Sequence, residues 1–389
     1  MAWEFRDKVC IAGIGETKYT RWGKQTKSEF ALTCEAIIAA ASDAGLPVDE
    51  IDGFASYATE RQMPAHLASA LGVKRLRYES LHWGGGGGGA PGGAMNAMLA
   101  VATGVCNYAV AYRSLCQGQF HRFGQGAASP NAVVGMEQAF RAPWGLLSPP
   151  QDYALQARRY MHDYGVTSKQ MGAVAVASYK HAQKNPRAVM YGRPITLEDH
   201  QSSRMIADPF RLYDCCQEND GACAVIVTTA ERAKALKQRP VYIMGASQGA
   251  SYRGAAWIHN WPEYPSAAFT EVAKDLYARA GIGPKDIDVA QVYENFTAMV
   301  LLSLEDHGFC KRGEGGAFVE GGQIEIGGAL PINTSGGNLA EAYIHGFELV
   351  IEGVRQMRGT STCQQPNAET CLIAGGPGVS PCSDMILRR

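Results

Sequence analysis

The sequence has no apolar run of membrane-spanning length, and its first ten residues, MAWEFRDKVC, carry no apolar stretch of the signal-peptide type. Both absences predict a chain that neither crosses nor enters a membrane, with the cytoplasm as the expected location. Charge of either sign is not in excess: 36 Lys and Arg oppose 37 Asp and Glu. A net charge of −1 offers no basic face to nucleic acid or lipid headgroups. The eleven cysteines form no CxxC pair. Cys215, Cys216 and Cys223 lie close together but have no histidines at ligand spacing, so no metal is expected, and the cysteines read as reduced, mostly buried thiols. "IAGIGETK" supplies a GxG after a strand but lacks the third glycine of a dinucleotide fingerprint, so no cofactor is expected either.

What is there is a large, apolar-rich chain that repeats itself. Its 389 residues are 46% hydrophobic and 19% charged, too long for one ordinary core and suited to two fused α/β units. "AGLPVDEIDGFASY" at 44–57 aligns without a gap on "AGIGPKDIDVAQVY" at 280–293. Each copy follows an Ala-rich segment of helical spacing (30–43 and 267–279) and, before that, a β-rich opening, "KVCIAGIG" or "PVYIMGAS". Each half then continues with a glycine cluster, a helix and a strand: 84–93 before "VCNYAVAYRS", and 335–337 before "ETCLIAGGPG". This alternation predicts crossover connections and helix-covered sheets. The halves are expected at 1–235 and 236–389, without a low-complexity linker, and with an insertion at about 117–200 long enough to be functional.

The double repeat, "YALQARRYMHDYGVTSKQMGAVAVASYKHAQKNPRA" and "DPFRLYDCCQENDGACAVIV" together resemble the thiolase superfamily, in its sterol-carrier or lipid-transfer-protein branch, over nearly the whole chain. The resemblance implies an α/β thiolase fold: two βαβαβαββ-type halves in five αβαβα layers with a large loop-domain insertion.

The residues of thiolase chemistry are replaced. Where the family has its cysteine nucleophile, "GGGAPGG" puts Gly89, and none of Cys34, Cys106 or Cys116 sits at such an elbow. The His/Asn-Glu/Asp-x-Phe motif reads "YENF", with Tyr293 first. The Gly-Gly-x4-Gly-His-Pro motif reads "GGNLAEAYIHG", with Tyr343 at the histidine position. The late Cys-x-Gly-Gly cysteine is replaced by Ile373, and Cys371, two residues earlier, reads as a strand residue. Two tyrosines on two histidine positions are able to transfer protons, which arbitrary decay would seldom leave. Within the superfamily the pair resembles the steroid side-chain aldolases.

That resemblance implies a retro-aldolase cleaving a β-hydroxyacyl-CoA, a 17-hydroxy steroid C-20 carboxyl-CoA, to a 17-keto steroid and propionyl-CoA. Tyr293 and Tyr343 would be base and acid in either order, the basic one with its pKa depressed by its surroundings, the alternative being direct transfer from a neutral tyrosine through a water. The backbone N–H of Gly89 and those of the stretch 374–376, which includes Gly375 and Gly376, would hold the thioester oxygen. A glycine at 89 would leave room for a steroid ring system. His82 and His345 flank these loops as supporting groups, Asn295 and Asn338 are candidates for positioning a water, and Arg158 and Arg159 for meeting CoA phosphates. CoA enters as part of the substrate. The resemblance also implies a homodimer, with "VCNYAVAYRS" as the strand paired across the two-fold, and a small OB-fold acyl-CoA-binding partner giving an α2β2 complex. The aromatic stretch at 117–150, with Phe120, Phe123, Phe140 and Trp144, is the candidate contact. An acyl-CoA thiolase with an unrecognised nucleophile and a non-catalytic lipid or acyl-CoA-binding scaffold remain the alternatives.

Overall fold

In the computed structural model, which describes residues 3–57, 60–82, 89–119, 138–250 and 265–389, the repeat becomes geometry. The strands are β1 (Val9–Glu16), β2 (Thr20–Arg21), β3 (Gly53–Tyr57), β4 (Tyr78–His82), β5 (Tyr108–Cys116), β6 (Met205–Ala207), β7 (Phe210–Arg211), β8 (Asn219–Thr229), β9 (Val241–Gly249), β10 (Val289–Val292), β11 (Thr370–Gly375) and β12 (Cys382–Arg388). The main sheet runs β4-β3-β5-β8-β1 through the first half and β9-β12-β11-β10 through the second. The two are joined by the short antiparallel contact of Cys10 with Tyr242 and Ile11 with Val241. The second half's counterpart of β4 is reduced to one parallel bridge between Ala290 and Ile332.

Aligned residues do the same work in both halves. The outer helices Glu29–Ala44 and Thr270–Ala280 both end on a left-handed glycine, Gly45 at φ 71° and Gly281 at φ 68°, where a side chain would be strained. Asp52 accepts the backbone N–H groups of Asn107 and Tyr108 at the start of β5. Its counterpart Asp288 accepts those of Glu369 and Thr370 at the start of β11. Each acid fixes the register of the next parallel strand.

Three apolar clusters define the layers. Leu32, Ile37 and Phe54 pack the Glu29–Ala44 helix on the outer face of the first sheet. Val272, Leu276 and Leu301 cover the outer face of the second. Between the sheets lie the helices Gly89–Ala102 and Phe347–Arg358, buried with Ile11, Val225 and Met385. Burial on both sides favours a helix that is small or apolar all round, as GAPGGAMNAMLAVA is; FELVIEGVRQMR instead buries Glu348, Glu352 and Gln356 in the same layer.

The insertion continues past residue 200, through β6 and β7, to the start of β8. A buried His200–Asp214 pair at 2.8 Å holds that extension, and Thr297 donates to the same carboxylate. Its helices Pro149–Tyr164 and Ser168–Ala182 pack on the second half, with Tyr160 donating to Glu305 and Lys180 paired to Glu325.

The strand expected at a two-fold edge is not at an edge. β5 is hydrogen-bonded to β8 on one side and β3 on the other. Its continuous apolar character reflects burial on both faces in mid-sheet. The open edge of the first half is β4, whose described partner is β3.

Candidate active site

The site is assembled where both middle helices begin. In each half a parallel strand delivers a tyrosine to that point: Tyr57 ends β3, and Tyr293, its aligned counterpart, follows β10. Each ring lies over a glycine at a helix start. A Cβ at Gly89 would stand 2.1 Å from Cγ of Tyr57, and one at Gly346 would stand 3.0 Å from Cδ2 of Tyr293. The room above Gly89, expected for a steroid, is therefore filled by the protein's own Tyr57 ring. Gly89 does open its helix, where the first N–H groups have no intrahelical acceptor; residues 83–88 of the glycine run lie outside the described residues.

Tyr293 and Tyr343 come together. The Tyr293 hydroxyl donates to that of Tyr343 at 2.8 Å, with ring centroids 6.0 Å apart, and both side chains are buried. Burial is the main cause that pushes both phenols well above their ordinary value. The expectation of one depressed phenol is thus corrected: desolvation raises both.

His345 follows two residues later, its ring 4.9 Å from that of Tyr343 and set edgewise at 78°. It holds a left-handed backbone at φ 52°, unusual for a non-glycine residue. The buried carboxylate of Glu348 clasps that turn, accepting the N–H of Ile344 at 3.0 Å and of Gly346 at 3.3 Å. Desolvation pushes Glu348 up to about 8 and His345 down to about 3, so the imidazole is uncharged. His345 Nδ1 is hydrogen-bonded to the Tyr57 hydroxyl and lies 3.3 Å from an Arg113 guanidinium nitrogen. Arg113 in turn is ion-paired with Glu60 at 3.1 Å, fully buried in the first half.

The other expected residues take supporting places. Gly375 pairs with Ser383, whose hydroxyl accepts the Gly92 N–H at 2.9 Å, so the 375–376 turn and the first turn of the Gly89 helix adjoin. Asn338 is buried, and neither side-chain amide atom has a partner among the described residues. Asn295 caps its own neighbour, its Oδ1 accepting the Phe296 N–H at 3.0 Å. His82 packs on the side of the Gly89 helix, where a Cβ on Gly92 would lie 2.7 Å from its Cε1; burial pushes its pKa down. Arg158 and Arg159 lie on the surface, paired to Asp208 and Asp163.

Several contributors went unread in the sequence. Tyr57 sits in the aligned repeat, and Arg113 is the one charge in an otherwise apolar strand; both were signals. Tyr153, from the insertion, packs on Phe296 with centroids 5.1 Å apart and donates to the Pro377 carbonyl at 3.1 Å. Cys216 lies close enough to both site tyrosines to raise their pKa values. None of the eleven thiols is activated: burial is the main cause raising each, Cys216 and Cys371 well above the usual range.

Fold and site together define a thiolase-fold protein in which glycine stands at the nucleophile position and paired phenols at the histidine positions. Residues 251–388 match the Thiolase C-terminal domain-like family. The 17-hydroxy-3-oxo-4-pregnene-20-carboxyl-CoA lyase of Mycobacterium tuberculosis is 44% identical over 386 residues, covering 98% of this chain and 99% of the relative. The steroid side-chain-cleaving aldolase of Thermomonospora curvata is 44% identical over 388 residues, 97% of each chain. The solved Ltp2–ChsH2(DUF35) aldolase superposes with a TM-score of 0.91 at 42% identity, over 99% of this chain and 98% of that one. The chain belongs to the steroid side-chain-cleaving aldolases of the thiolase superfamily.

Proposed function

We propose that the protein cleaves a 17-hydroxy steroid C-20 carboxyl-CoA by retro-aldol reaction, giving a 17-keto steroid and propionyl-CoA. The observation that carries the mechanism is the direct hydrogen bond between Tyr293 and Tyr343. Because burial keeps both phenols protonated, neither can wait as a phenolate. The bond offers a neutral relay instead. As C17–C20 breaks, the substrate hydroxyl proton passes to Tyr293, the Tyr293 proton to Tyr343, and the Tyr343 proton to C20. The C–C bonding pair becomes the thioester enolate and then the new C–H bond, while the alkoxide pair becomes the 17-ketone. Both tyrosines end as they began, and no proton is exchanged with solvent during the step. Enolate charge developing on the thioester oxygen would meet the N–H groups at the start of the Gly89 helix and in the 375–376 turn.

Thiols whose pKa values are all raised by desolvation argue against the acyl-transferring alternative. Product analysis by mass spectrometry decides among the three readings. Ketone plus propionyl-CoA, with no thiolysis of acetoacetyl-CoA, is expected. An acyl group trapped on any cysteine would establish the thiolase reading, and binding without turnover the scaffold.

A partner belongs to the same proposal. The solved relative is an assembly with ChsH2(DUF35), and we propose that a small OB-fold acyl-CoA-binding protein joins this chain in an α2β2 complex. Phe140 and Trp144 are about four-fifths exposed and Leu147 more than half, on the surface of the insertion, an apolar face suited to such a contact; Phe120 and Phe123 lie outside the described residues. The two copies of this chain would pair along β4, an open strand edge of the kind that association covers.

A further inference from the structure

The Tyr57–His345–Arg113–Glu60 chain is not used by the tyrosine relay, yet it places a buried ion pair beside it. An arginine has only donors. A guanidinium nitrogen 3.3 Å from His345 Nδ1 therefore requires Nδ1 to accept. The Tyr57 hydroxyl, hydrogen-bonded to the same nitrogen, must donate as well, since Nδ1 has no proton to give. An imidazole that accepts at Nδ1 while uncharged carries its proton on Nε2. Arg113 cannot turn away. It is 1% exposed, its guanidinium carbon lies 4.7 Å from the centre of the Tyr57 ring, and its NH1 donates to Glu60 Oε2 at 3.1 Å. Glu60 is held in turn, accepting from the backbone and hydroxyl of Ser114 and from the N–H groups of Arg61 and Gln62.

We propose that Tyr57 and Arg113 are positioning residues that lock His345 in its neutral Nε2–H tautomer, so that His345 serves the reaction as an uncharged hydrogen-bond donor to the thioester oxygen. A neutral donor suits this site. An imidazolium with its ring 4.9 Å from that of Tyr343 would draw that phenol toward phenolate and interrupt the relay, whereas an imidazole N–H stabilises enolate charge without competing for the proton. The first repeat's tyrosine thus sets the state of a histidine, while its counterpart Tyr293 handles the proton. The proposal rests on the aldolase reading for the identity of the oxygen.

The test is 15N NMR of the full chain labelled at histidine, with the His345 signals assigned by their loss in His345→Gln. Expected are an unprotonated Nδ1 and a protonated Nε2, unchanged across the neutral pH range. In Tyr57→Phe, which removes one of the two donors to Nδ1 without emptying the core, the Nδ1 signal should shift while Nε2 stays protonated, because Arg113 still donates to Nδ1. An Nδ1–H tautomer, or an imidazole that titrates near neutral pH, would overturn the lock. Steady-state kinetics tests the donor. His345→Leu should lower kcat by about a hundredfold with little change in KM, while His345→Gln, which keeps an N–H donor, should stay within about tenfold of wild type. Equal turnover by the Leu and Gln variants would overturn the donor role. The NMR needs no substrate, so a wild-type chain without lyase activity would remove the aldolase reading and the donor's target while leaving the tautomer result intact.

Discussion

At the scale of residues, the paired phenols carry the strongest expectation. Tyr293→Phe and Tyr343→Phe each break the relay at one oxygen and should lower kcat by about a hundredfold or more. Each removes only one oxygen of a mutually satisfied pair, so thermal stability should change little; calorimetry beside the kinetics separates the two effects. Because burial holds both phenols well above their ordinary range, the kcat profile should show no limb from tyrosine ionisation anywhere near neutral pH. Cys371→Ala should leave turnover essentially intact. The two tyrosines were legible because each stands in a motif whose spacing survives. Tyr57 and Arg113 were not, because their role appears only when β3 and β5 lie side by side and bring Arg113 over the Tyr57 ring. Sequence spacing carries no information about that cross-strand meeting.

At the scale of elements, the turn from Tyr343 to Gly346 depends on Glu348. Its pKa is raised from 4.5 to about 8, so the folded state favours the protonated acid. Stability should therefore be lost as pH rises from the unfolded value toward about 8, since the unfolded chain ionises first. Glu348→Gln removes that linkage while keeping a carbonyl to accept from Ile344, and its melting temperature should fall less steeply than wild type's over that interval. The expectation about β5 went astray at this scale for a definite reason. A continuous apolar strand reports burial on both faces, which a mid-sheet position supplies as well as an interface does. The true edge, β4, alternates half-buried and exposed residues down to the buried His82, and so gave no comparable signal.

At the scale of the whole molecule, the duplication was legible because the same short sequence recurs with the same offices: a helix-ending glycine, a strand-registering aspartate, a tyrosine at the strand end. What could not be read is how two middle helices, distant in sequence, would share one layer, because that follows from the antiparallel join of β1 to β9. The open edge makes assembly testable. Leu81 is 45% exposed on β4, and Leu81→Asp would set like charges near each other across a two-fold. Light scattering should show the proposed dimer dissociating; a dimer unchanged by the substitution would move the contact elsewhere.

The ring of Tyr57 over Gly89 also guards position 89 against any nucleophilic side chain. Thiolase chemistry would need a cysteine at position 89, but the first atom of any side chain there meets Tyr57 Cγ at 2.1 Å. Such overpacking typically costs about 1–3 kcal/mol, so Gly89→Ala should be destabilising, and a smaller residue at 57 should relieve it in a double-mutant cycle. Tyr57 would therefore have to change first, and that step takes away a partner of His345 before any nucleophile has been gained. While the Tyr57 ring occupies that space, position 89 has no room for the side chain that a covalent intermediate would need.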